Sequence, residues 1–79
     1  MKYKIIGLEN FKSKSGKEIT KIHSIYKNDI SERLSGTGVE SFFIITEKLP
    51  PDTAIDVYFI PLFGRQGDKG FLEGLNIIE

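Results

Sequence analysis

The chain has no cysteine and no tryptophan, and only one histidine, His23, among its 79 residues. A disulfide framework is therefore excluded, and a Cys/His zinc site has no ligands to draw on. Long apolar runs are also missing. Nothing approaches the roughly 18–20 residues that cross a bilayer. The opening residues place Lys2 and Lys4 among apolar neighbours and lack the apolar core of a secretory signal. A cytoplasmic protein without a membrane segment is the expectation. Net charge is absent too, with eleven basic against eleven acidic side chains. Nucleic-acid-binding domains are often strongly basic, so this total speaks against that class.

The distribution of charge says more than its sum. Residues 1–27 carry seven lysines against Glu9 and Glu18, a surplus of five. Residues 28–60 carry Arg33 and Lys48 against six acids, a deficit of four. This segregation suits a basic first hairpin with the acids held elsewhere.

A chain this short buries only about 60–65% of its unfolded surface, so it forms one domain, residues 1–79, with a thin core. Apolar and polar residues alternate in short stretches separated by Gly, Ser, Asn and Asp, the pattern of a β protein. Strand one is expected over Lys2–Leu8, continuing to Phe11 past a bend at Gly7. A turn follows at residues 12–17, with Gly16 free to take positive φ. Strand two spans Glu18–Tyr26. A single helical turn is expected over residues 30–34, capped by Asn28 or Asp29. Val39–Thr46, with Phe42-Phe43-Ile44-Ile45, reads as a central strand buried on both faces. Pro50-Pro51 interrupt, Ala54–Phe63 is strand four, and Phe71–Ile78 is strand five. Pro61 puts the end of strand four at an edge or a bulge. Five strands in this length suit a closed barrel, since an open sheet leaves bare edges. The expected fold is all-β, a small five-stranded Greek-key barrel of OB type, with an SH3-like barrel as the alternative.

No catalytic grouping emerges. His23 and Ser24 are adjacent in a strand and point to opposite faces, so they make no dyad. Asp29 and Glu32 are placed to cap and begin a helical turn, a commoner role than metal ligation. The Gly64–Gly70 segment lacks the Gly-Lys-Ser/Thr ending of a phosphate-binding loop and joins two strands. The expectation is a binding protein, not an enzyme, with no cofactor and no metal.

Aromatics are the suggestive feature, with six phenylalanines and three tyrosines. Phe42, Phe43 and Phe59 belong at least in part to the core. Neighbours such as Phe42-Phe43 and Tyr58-Phe59 cannot share a face, so one of each pair looks outward. Outward rings beside lysines are the equipment of single-strand binding, where bases stack on rings and cations meet phosphates.

Residues Phe11-Lys12-Ser13-Lys14-Ser15-Gly16-Lys17, with a proline-containing loop, an apolar strand ending in Phe63, and Gly70-Phe71-Leu72 later, form a sequence of elements that resembles the filamentous-phage gene V single-stranded DNA-binding proteins. The resemblance implies an OB-type barrel, a two-fold homodimer, and cooperative, sequence-tolerant coating of single strands in phage or mobile-element DNA replication. It places Lys14 as a basic contact in the first hairpin and Lys17 as the lysine after the loop glycine. Ile19 stands where the family favours an aromatic, and Lys21 where it has an apolar residue. Glu73, Asn76 and Glu79 occupy the region of a basic residue of its last strand.

The expected nucleic-acid-binding residues are Lys12, Lys14, Lys17 and Lys21 for phosphates, Tyr26 and Phe63 for bases, and Arg65 at a loop rim. The partner is single-stranded DNA or RNA. The alternative is a small protein-interaction or inhibitor module, docking through an exposed strand edge or aromatic patch.

Overall fold

A computed structural model of the chain describes residues 2–27, 37–64 and 70–78. It contains five strands: β1 (Tyr3–Lys12), β2 (Glu18–Lys27), β3 (Thr37–Ile45), β4 (Tyr58–Phe63) and β5 (Phe71–Ile78). A 3-10 turn, Thr46–Lys48, follows β3 directly. Among the described residues no helix is long and apolar enough to cross a membrane.

The strands close into a barrel in the order β1-β2-β3-β5-β4. β1, β2 and β3 pair antiparallel in sequence, and β4 returns beside β1. That is a Greek key. β5 fills the remaining gap, antiparallel to β4 and parallel to β3. The parallel pair and the crossover it requires make the barrel OB-like instead of a simple meander.

Among the described residues seven apolar ones are buried: Ile5, Ile22, Phe42, Ile44, Phe59, Leu72 and Leu75. Each contributes about 1.5–3 kcal/mol by leaving water. Tyr3, Leu8, Leu49, Val57 and Ile77 pack around them. The floor of the barrel is polar. The buried Thr20 hydroxyl donates to Asn10 Oδ1 at 2.8 Å. With its one proton so used, it accepts from Thr46 Oγ1 at 2.9 Å. This chain ties β1, β2 and the 3-10 turn together.

Several expectations need correction. β3 is not buried on both faces: Phe42 and Ile44 are buried, while Phe43 and Ile45 are half-buried on the outside. β4 starts at Tyr58, not Ala54, because Asp56 takes a left-handed φ of 69°. Residues 56–57 instead bond to Ile5, with Asp56 N–H donating to its carbonyl and Val57 accepting from its N–H. β1 continues through Lys12, and its irregularity is a shift in pairing between Ile5 and Gly7 that leaves Ile6 half exposed. The helical turn expected at 30–34 lies outside the described residues.

Candidate nucleic-acid interface

The β1–β2 hairpin is built by its own residues. Gly16 N–H donates to the Ser13 carbonyl at 2.9 Å, and Ser13 N–H to the Lys17 carbonyl at 2.8 Å. Gly16 takes the φ of 86° that its glycine was expected to allow. Lys17 N–H also donates to Ser13 Oγ at 3.2 Å. A turn braced this way carries Lys14 at its tip, with Lys12 and Lys17 at its two feet.

Register decides what lies beside the hairpin. On the outer face, Lys21 of β2 stands between Glu9 of β1 and Phe43 of β3, and Phe43 pairs with Phe71 of β5. The next rung toward the hairpin is Phe11, Ile19 and Ile45. The Phe11 and Phe43 rings meet edge to face, 6.1 Å between centres. Phe43 and Phe71 lie nearly parallel, also 6.1 Å apart, with planes at 21°. Lys21 Nζ is 5.7 Å from the Phe43 ring centre, a cation over an aromatic face.

A second aromatic group lies inside the barrel. Tyr3 is 5.3 Å from Tyr26, 5.0 Å from Phe42 and 5.7 Å from Phe59. Phe63 joins it at the rim, 6.2 Å from Phe42 and largely exposed. Burial raises the Tyr3 hydroxyl above its ordinary pKa, and the nearby charge of Glu40 and the Tyr26 ring hydroxyl add to this.

The seven residues expected from sequence thus fall into separate places. Lys12, Lys14 and Lys17 are together in the hairpin, and Lys21 is on the adjoining outer face. Tyr26 is on the inward side at the far end of β2. It is nine residue steps from Lys17, roughly 30 Å of extended chain. Phe63 belongs to the inner group. Arg65 lies outside the described residues. The rings that do stand beside the lysines are Phe11, Phe43 and Phe71. Nothing local in the sequence links them, because their meeting depends on β3 pairing with both β2 and β5.

An open cleft of about 550 Å³ runs between the hairpin and the 3-10 turn, lined by Lys12, Lys17 and Lys48 with Glu18 and Glu47. A smaller one of about 240 Å³ continues from it past Phe11, Asn10 and Thr46. Carboxylates are interspersed. Glu9 Oε1 is 3.2 Å from His23 Nε2, and Glu73 Oε2 is 3.1 Å from Lys48 Nζ. Asp56 is 3.6 Å from Lys4. No grouping of His, Asp and Glu suited to a metal ion occurs among the described residues. His23 and Ser24 do point apart: His23 is on the outer face, while buried Ser24 donates to the Glu40 carbonyl at 2.8 Å.

Comparison with known proteins gives no matching family model, no matching curated protein and no matching solved structure.

Proposed function

We propose that the protein binds single-stranded DNA with little sequence preference, on the outer face of β2, β3 and β5 and along the β1–β2 hairpin. The observation that carries this is the outward row Phe11, Phe43 and Phe71, with Lys21 over its middle ring and a lysine-bearing hairpin beside it. Bases of any sequence present a π face to such rings, and each stacked base contributes about 1–3 kcal/mol. Barrels of this type commonly bind oligonucleotides on the face of strands two and three and on the loops that flank it, which is support by analogy of fold. The resemblance in the order of elements to the gene V proteins, and the replication role it implies, points the same way.

The test is a fluorescence titration of labelled oligo-dT at several salt concentrations. Binding should weaken with salt by about 0.7 in log K per log salt for each phosphate contacted. Replacing Lys12, Lys14 and Lys17 by Gln should reduce that slope by about 2. Absence of binding at low salt, or binding indifferent to salt, defeats the reading.

A second reading, a protein-docking surface, is favoured by one observation. Tyr58, Ile60 and Leu62 project outward in a row along β4 and are exposed, with Ile6 and Ile55 also exposed. A second copy of the chain is the simplest occupant. Sedimentation at micromolar concentration should then report a dimer that Ile60→Lys disrupts.

A further inference from the structure

The cleft at the foot of the hairpin contains a lysine that composition and motif did not single out. Lys48 ends the 3-10 turn after β3 and lines the cleft opposite Lys12 and Lys17. Its amine donates to Glu73 Oε2 at 3.1 Å. Glu73 comes from β5, twenty-five residues along the chain. Two features of the fold bring its carboxylate there. Pairing of β4 with β5 steps from Leu62–Gly74 to Phe63–Leu72, so Glu73 is the extra residue of a bulge. Bulges re-aim side chains. The Glu73 side chain then lies over Gly64, where an added Cβ would come within 2.7 Å of its Cγ and Oε1. Bare backbone at 64 is what leaves room for it.

We infer that Lys48 is a phosphate-binding residue of the single-strand site and that Glu73 is its built-in competitor, a carboxylate standing in for a backbone phosphate. The inference rests on the single-strand reading above. Both side chains are about half exposed, 46% for Lys48 and 60% for Glu73. An exposed pair of this kind is weakly held. A strand leaving the Phe43–Phe71 platform passes Phe11 and enters the cleft, where its phosphate exchanges with the Glu73 carboxylate on Lys48. Lys12, Lys17 and Lys48 line the cleft with Glu18 and Glu47, and Glu73 reaches it only through its pair with Lys48. Opening that pair frees the Lys48 ammonium for a phosphate, although the whole chain is neutral.

The experiment compares the unaltered protein with Glu73→Gln, Lys48→Gln and the double variant, each titrated with labelled oligo-dT across a salt series. Melting curves accompany each titration to establish folding. Glu73→Gln should tighten binding by about two- to five-fold at low salt. Lys48→Gln should weaken it and lower the salt slope by about 0.7. In the Lys48→Gln background, Glu73→Gln should change nothing, because the competitor has lost what it competes for. Equal tightening by Glu73→Gln in both backgrounds reveals a general charge effect and overturns the inference. So does a Lys48→Gln slope equal to that of the unaltered protein when Lys12→Gln and Lys17→Gln reduce theirs. If the unaltered protein fails to bind at all, the single-strand reading itself falls.

Discussion

Lys21 Nζ stands 5.7 Å above the Phe43 ring, the middle of three outward rings. The pair combines what a single-strand site needs at one point, a face for a base and a cation for its phosphate. Phe43→Ala removes the stacking face and should weaken oligo-dT binding by about 1–3 kcal/mol, roughly 5- to 150-fold. Phe43→Trp retains a face and should bind nearly as the unaltered protein does. Lys21→Met keeps an apolar stem over the ring and loses only the charge, so the salt slope should fall by about 0.7. Equal affinity for Phe43→Ala and the unaltered protein would remove the platform from the account.

Gly38 supports the opposite end of β2. It is the cross-strand partner of Tyr26, and its bare backbone lies under the tyrosine ring. An added Cβ would fall 2.3 Å from Tyr26 Cζ. Tyr26 is hemmed in by Tyr3, so the ring has little freedom to retreat. Gly38→Ala should destabilise the protein by about 1–3 kcal/mol through overpacking, read from a urea titration. In a Tyr26→Ala background the same substitution should be neutral or stabilising, since alanine suits a strand better than glycine. A full loss in both backgrounds would place the cost somewhere other than the ring.

How far the sequence anticipates this architecture depends on whether the information is local. Glu18 to Tyr26 alternates cleanly, Phe71 to Ile78 is bounded by turn residues, and both appear as strands with boundaries within a residue of those expected. The argument that Phe42 and Phe43 cannot share a face holds as well. Alternation fails where the chain gains a residue. The shifts beside Ile6 and Glu73 reverse the inward and outward sets along β1 and β5. Long-range neighbours are invisible to periodicity altogether. Phe11, Phe43 and Phe71 converge because β3 is flanked by β2 and β5, and Lys48 meets Glu73 for the same reason. Tyr26, expected to stack bases, instead faces inward across from Gly38 and against Tyr3.

Thr20 links the core to the cleft. Its buried hydroxyl donates to Asn10 and accepts from Thr46, the residue that opens the 3-10 turn carrying Lys48. Thr20→Val keeps the shape and removes both bonds. Asn10 is exposed and can turn to water, so the expected loss is about 1–2 kcal/mol. Denaturant unfolding measures it. Thr20→Ser retains the hydroxyl and should recover most of the bonding while losing one methyl. If Thr20→Val is as stable as the unaltered protein, the network contributes nothing to holding the turn.

Tyr3 gives stability a dependence on high pH. Its hydroxyl is raised above the ordinary value of about 10, first by burial, then by the charge of Glu40 and by Tyr26. Below pH 10 the group is protonated whether the chain is folded or not, and its contribution to stability is constant. Above it, the unfolded chain gives up the proton while the folded chain retains it. The unfolded state then binds fewer protons, so stability falls as pH rises, until the folded group also ionises. Tyr3→Phe preserves the ring contacts with Tyr26, Phe42 and Phe59 and removes the titrating hydroxyl. Urea midpoints measured from pH 9 upward should decline more steeply for the unaltered protein than for Tyr3→Phe, the difference opening above pH 10. The comparison of the two proteins cancels what every other group contributes. Parallel declines would mean that Tyr3 ionises as easily folded as unfolded, and that the inner aromatic group is wetter than its packing implies.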